Sequence, residues 1–208
     1  DVESGETLAI VGESGCGKSV TVQALMDLIP RPPGNIRSGQ AWFEDEDLFQ
    51  LSDAARTRYR GRDIGMIFQD PMTSLNPTMT IGQQIAEPLR VHRGLSPSAA
   101  LESAIDLLKK ANIPEAERRA SQYPFEFSGG MLQRAMIAQA MACSPKLLIA
   151  DEPTTALDVT IQAQILALMS ELKERLDMAI ILITHDLAVV AKMADRVCVM
   201  YAGQIVER

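Results

Sequence analysis

The run Gly12-Glu13-Ser14-Gly15-Cys16-Gly17-Lys18-Ser19 has the G-x-x-x-x-G-K-[ST] spacing of a phosphate-binding turn. Its glycines let backbone N–H groups face inward, and a helix starting at its end adds positive potential, so the turn suits an anionic phosphate chain. Lys18 is placed to reach terminal phosphates, and the Ser19 hydroxyl to ligate Mg²⁺. A chance glycine-rich turn is the alternative, and the strand-loop-helix context disfavours it.

A second cluster is Leu147-Leu148-Ile149-Ala150-Asp151-Glu152, an apolar strand ending in two carboxylates. Beside a phosphate turn, the first acid holds Mg²⁺ on the side opposite the hydroxyl, and the second polarises a water for in-line attack on the γ-phosphate of ATP. Taken alone, the pair reads equally well as a helix N-cap. A third segment, Phe127-Ser128-Gly129-Gly130-Met131-Leu132-Gln133, opens a helical run. There Ser128 reads as a cap, and the two glycines give the helix start room for a further anion; the readings are compatible.

These groups need a scaffold that collects them. Four apolar runs, Leu8–Val11, Gly65–Phe68, Leu147–Ala150 and Ala179–Ile183, are each followed by polar groups: the glycine loop, Gln69-Asp70, Asp151-Glu152 and Thr184-His185-Asp186. Separated by helix-patterned stretches, they read as an α/β domain with a mainly parallel sheet, whose strand ends deliver the polar groups to one edge. From about 71 to 142 the chain turns helical, rich in Ala, Leu and Met and punctuated by prolines, which reads as an inserted helical subdomain. Ser96-Pro97 marks a helix start, with Leu101, Ile105, Leu108 and Ala111 on one face. Ile161, Ile165, Leu168, Leu172 and Leu176 give another amphipathic helix, and the residues flanking Ala202-Gly203 a hairpin. The acidic cluster Glu44-Asp45-Glu46-Asp47 reads as a solvated surface turn without a role.

With 27 acidic against 20 basic residues and a net charge of -7, the chain does not suit a broad nucleic-acid interface, so no nucleic acid is expected as a partner. Cys16, Cys143 and Cys198 form no C-x-x-C pair, which points to a reducing cytoplasm rather than a disulfide framework. No apolar run approaches the roughly 20 residues that cross a bilayer, so any service to a membrane is from its side.

The ordered set of phosphate loop, Gln69, Ser128-Gly129-Gly130, Asp151-Glu152, Ala156-Leu157-Asp158 and His185 resembles the nucleotide-binding domain of ABC transporters across nearly the whole chain. Phe127 and Met131 replace the ends of the family signature LSGGQ. The stretches Phe68–Pro77, Phe125–Met131 and Asp151–Asp158 are similar to the ATPases of oligopeptide, dipeptide and nickel importers. The resemblance implies a P-loop NTPase of RecA-like core (about 1-70 and 143-208), an N-terminal antiparallel β portion and a helical subdomain (about 71-142). It implies that Gln69 senses Mg²⁺ and the γ-phosphate and that His185 positions the attacking water, beside Lys18 and Glu152. It further implies a second ABC ATPase domain as partner, with Ser128, Gly129 and Gly130 acting in trans and Asp158 near the seam. Permease subunits would dock at Asp70–Pro88, a solute-binding protein would act indirectly, and the subunit would lie on the inner face of the cell membrane. By the same resemblance an upstream aromatic strand and a C-terminal extension are missing, so weaker nucleotide binding is expected.

Import of di- or oligopeptides is the reading favoured by these motifs, with nickel or another small solute as the alternative. A non-transport ABC ATPase of repair or translation would bring coiled coils, zinc modules or tandem domains. A regulatory nucleotide binder without turnover would not need both Glu152 and His185, and a small-molecule kinase gives no reason for Ser128-Gly129-Gly130.

Overall fold

The computed structural model describes residues 1–155 and 157–208; Ala156, part of the Ala156-Leu157-Asp158 element, lies outside the described residues. In chain order the strands are β1 (Thr7–Val11), β2 (Trp42–Phe43), β3 (Glu46–Asp47), β4 (Ile64–Ile67), β5 (Leu147–Asp151), β6 (Ala179–Ile183), β7 (Arg196–Tyr201) and β8 (Gln204–Glu207). The helices are α1 (Lys18–Leu25), α2 (Asp53–Thr57), α3 (Pro71–Ser74), α4 (Ile81–Arg93), α5 (Pro97–Lys110), α6 (Ala116–Arg119), α7 (Gly129–Ala140), α8 (Val159–Leu176) and α9 (Leu187–Met193).

One sheet has the order β4-β5-β6-β1-β7-β8. Its first five strands are parallel, and β8 returns antiparallel through the Ala202-Gly203 turn. The antiparallel portion near the N-terminus is the short pair β2–β3. The interior strands are rich in Ile, Leu and Val and are covered on both faces, as parallel sheets require. Period-two alternation divides each strand between two apolar clusters. Leu148 and Ala150 of β5, with Ile180 and Leu182 of β6, join the cluster formed by α4, α5, α7, α8 and α9. Ile149, Ile181 and Ile183 face the opposite cluster, with Val22 and Met26 around α1 and with Leu48 beside β3. The helices between 71 and 140 therefore share continuous apolar packing with one face of the sheet.

Two expectations shift. The buried stripe of α5 runs through Ala100, Ala104 and Leu108, whereas Leu101 is 40% exposed. Leu101 lies instead over Gly82 of α4, where a Cβ would fall 2.8 Å from its Cδ1 atom. Nor is the acidic cluster simply solvated. Asp47 is buried, and its carboxylate accepts the N–H groups of Ala41 and Phe49, satisfying donors that β2–β3 leaves unpaired.

Register brings the strand ends together. Ile67, Ala150, Leu182 and Ala9 form one rank across β4, β5, β6 and β1. Two residues further along each strand lie Gln69, Glu152, Thr184 and Val11, so the polar segments emerge side by side.

Candidate active site

The glycine loop joins β1 to α1. Gly12 cannot be replaced without displacing its neighbours, since a Cβ there would sit 2.2 Å from the Met200 carbonyl oxygen and 2.9 Å from Cys16 Sγ. Gly17, the N-cap of α1, has φ 106°, a left-handed conformation that side chains resist. Glu13, Ser14 and Gly15 form the exposed rim, while Cys16 is buried among Ile10, Val22 and Met200. The β7–β8 turn pins the loop, with the Gly203 N–H donating to the Cys16 carbonyl at 2.9 Å.

Lys18 is only 5% exposed. Its ammonium donates to the carbonyls of Gly12 at 2.8 Å and Glu13 at 2.9 Å. An ammonium has three donors, and the third meets only Cys16 Sγ at 3.8 Å, a weak acceptor that a phosphate oxygen would outcompete. The Ser19 hydroxyl donates to Asp151 Oδ1 at 2.8 Å, joining the loop to the end of β5. Burial raises the Asp151 carboxyl above the ordinary carboxylate range, and the Ser19 hydrogen bond opposes that shift. A buried carboxylate beside a hydroxyl is a pair of hard oxygen donors, which fits Mg²⁺ at this spot.

Glu152 is the focus of the neighbouring groups. Gln69 Nε2 donates to its Oε2 at 3.2 Å, and the Thr155 hydroxyl donates to the same oxygen at 2.9 Å. His185 Nδ1 lies 3.4 Å from Oε1. The backbone of Glu152 has φ 47°, and its N–H donates to the Ile183 carbonyl at 2.9 Å. The structure thus gathers Lys18, Ser19, Gln69, Asp151, Glu152 and His185 at the carboxyl edge of the sheet. Sequence reasoning gave Thr155 no role; its position three residues after Glu152 was the available signal.

The remaining candidates occupy a different place. Ser128, Gly129, Gly130 and Asp158 line a groove of about 580 Å³ with Arg134 and Gln164. Ser128 stands at the N-cap of α7, yet its side chain makes no capping hydrogen bond, which leaves the hydroxyl for another acceptor. Asp158 caps α8 by accepting the Ile161 N–H at 3.0 Å. Among the described residues, no side-chain hydrogen bond joins this groove to the Lys18–Glu152 group.

The ABC transporter family model matches residues 1–155. Over 206 residues the chain is 63% identical to the oligopeptide transport ATP-binding protein OppD of Bacillus subtilis (strain 168), covering 99% of this chain. Over 207 residues it is 55% identical to the dipeptide transport ATP-binding protein DppD of the same organism, covering 100% of this chain. It spans 58% and 62% of the lengths of these two relatives. Among solved structures, the dimeric post-hydrolysis state of the ATP-binding cassette MJ0796 bound to ADP and Pi matches with a TM-score of 0.87 at 30% identity, over 100% of this chain and 86% of that one.

Proposed function

This chain belongs to the ABC transporter family, and on that premise we propose that it binds and hydrolyses ATP to drive an importer of di- or oligopeptides. The observation that carries the proposal is the Glu152 carboxylate, held by Gln69, Thr155 and His185 beside the Ser19–Asp151 pair and the Lys18 loop.

In this reading the loop from Gly12 to Ser19 cradles the phosphate chain with its N–H groups, and Lys18 turns a donor to the terminal phosphates. Ser19, Asp151 and Gln69 would hold Mg²⁺, which neutralises charge on the phosphate oxygens. Glu152 takes a proton from water as its oxygen bonds to the γ-phosphorus and the bond to the ADP oxygen breaks. His185 orients that water, and Gln69 reports phosphate occupancy to the helices between 71 and 142.

The separate groove at Ser128-Gly129-Gly130 supports a head-to-tail pair with a second ABC ATPase domain. Each copy's glycines would cover the other's nucleotide, with Asp158 at the seam. MJ0796, the cassette matched at a TM-score of 0.87, is itself dimeric. Coupling to permease subunits through the surface around Asp70–Pro88, and placement on the inner face of the membrane, complete the proposal. Among the described residues no helix is long and apolar enough to cross a membrane. The names of OppD and DppD favour peptides over nickel as the solute.

The test uses the full-length protein with its permease in vesicles. Lys18→Ala and Glu152→Gln should each remove ATP turnover and ATP-driven peptide uptake, with Glu152→Gln keeping ATP binding. Turnover undiminished in Lys18→Ala would refute the assignment.

A further inference from the structure

The side chain of His185 is 62% exposed, and its contact with Glu152 spans 3.4 Å. A ring so open to solvent depends on its flanking residues for direction. On one side Thr184 is buried, and its hydroxyl accepts the Asp186 N–H at 3.0 Å. On the other, both carboxylate oxygens of Asp186 are engaged. Oδ1 accepts the Ala188 N–H at 2.8 Å, capping α9, and Oδ2 accepts from Gln162 Nε2 at 3.0 Å. The Gln162 bond is the one side-chain hydrogen bond, among the described residues, that links α8 to residues 184–188.

Gln162 lies in the first turn of α8, which Asp158 fixes twice: its side chain accepts the Ile161 N–H, and its carbonyl accepts the Gln162 N–H at 2.8 Å. Ile161, the preceding residue, abuts the glycine pair of α7, since a Cβ on Gly130 would fall 3.0 Å from Ile161 Cγ2. Two consecutive residues of one stiff turn therefore touch the Ser128-Gly129-Gly130 segment and the histidine loop.

We propose that Gln162 is a positioning residue for hydrolysis, holding His185 on Glu152 through Asp186 and tying it to the turn that carries Asp158 and packs on Gly130. This rests on the assignment of His185 and Glu152 to ATP hydrolysis. A shift of the Ser128–Gly130 segment or of Asp158, the groups expected to meet a second copy, would move the first turn of α8. The Gln162–Asp186 bond would then carry that shift to the histidine of the same chain. Among the described residues Gln162 makes no hydrogen bond to the phosphate loop, so the consequence is for turnover and not for nucleotide affinity.

In the full-length protein assembled with its permease, Gln162→Ala should lower kcat about tenfold with the KM for ATP unchanged, short of the roughly 10²-fold that a 1 Å misplacement can cause. Gln162→Glu, which sets a second carboxylate against Asp186, should lower it further. The decisive comparison is single-turnover hydrolysis in the His185→Ala background, where Gln162→Ala should add nothing. A full additional loss there would mean that Gln162 acts by another route and would overturn the proposal. A second readout does not need residual activity: in histidine-labelled protein, the imidazole signal that vanishes in His185→Ala should shift in Gln162→Ala. An unmoved signal would likewise overturn it. Lys18→Ala separates the two levels of the argument. If Lys18→Ala abolishes hydrolysis while Gln162→Ala turns over normally, the role of Gln162 fails alone; if Lys18→Ala is fully active, the ATPase assignment fails and takes this inference with it.

Discussion

Replacing Thr155 by valine tests whether Glu152 works as a positioned carboxylate or merely as a nearby one. Valine keeps the β-branch and removes the hydroxyl that donates to Glu152 Oε2 at 2.9 Å. A hydrogen bond to a charged group is worth about 1.5–3 kcal/mol. Thr155 is exposed, and Gln69 still donates to the same oxygen at 3.2 Å, so the lower end applies. Since each ~1.4 kcal/mol of lost transition-state stabilisation is a factor of about ten in rate, kcat should fall about tenfold. The KM for ATP should stay within about twofold, because the lost bond is not to the nucleotide. Steady-state ATPase assays on the full-length protein with its permease provide the measurement. Thr155→Ser, which restores the donor, should recover most of the rate. Thermal unfolding should scarcely change, as an exposed substitution shifts stability by about 0.5 kcal/mol or less. An unaltered kcat in Thr155→Val, or equal losses with serine and valine, would refute the reasoning.

Gly12→Ala should destabilise the fold by at least the ~1–3 kcal/mol typical of overpacking, because its Cβ would collide with the rigid Met200 carbonyl; a urea midpoint equal to that of the unmodified protein would count against the loop geometry. Asp151 gives a dependence on pH. Burial raises its carboxyl in the folded state, so the fold binds this proton more tightly than the unfolded chain does. The favourable contribution is complete below the ordinary carboxylate range and is lost as pH rises through the raised value. At neutral pH, Asp151→Asn should therefore raise the Tm of the nucleotide-free protein while removing the extra stabilisation given by Mg²⁺ with ATP; a lowered Tm together with intact Mg²⁺ stabilisation would contradict it.

The parts of the site that the sequence disclosed are those where chemistry follows directly on a strand. Lys18, Ser19, Asp151 and Glu152 each stand within a few residues of an apolar run, and the parallel register collects such ends at one edge. Gln69 and His185 occupy the same kind of position, but a lone Gln or His after a strand says little, and only their place in the ordered set distinguished them. What stayed hidden depends on partners far away in the chain. Gln162 meets Asp186 24 residues on, and Arg56 pairs with Asp27 29 residues back and donates to the Leu48 carbonyl. Such pairs are decided by how α8 lies on α9 and how α2 meets the end of α1, which no local spacing encodes. Asp47 was obscured for a different reason. In a run of four acids the pattern says "solvated", and only the backbone of β2–β3 decides which of the four turns inward.

The backbone of Glu152 connects fold to chemistry. Its φ of 47° is a left-handed conformation that a side chain adopts only at a cost of about 1–3 kcal/mol, and such residues persist where the surroundings fix them. Here the fixing groups are identifiable. The Glu152 N–H is held by the Ile183 carbonyl, the Thr155 N–H returns to the Glu152 carbonyl at 3.1 Å, and Asp151 is tied to Ser19 on the preceding residue. Ile183 belongs to β6, and His185 follows it by two residues, so a single hydrogen bond sets Glu152 and His185 in a common frame. An unstrained continuation of β5 would carry the side chain at 152 to one face of the sheet by simple alternation. The left-handed turn breaks that alternation and leaves the carboxylate at the strand end, where Gln69, Thr155 and His185 reach it.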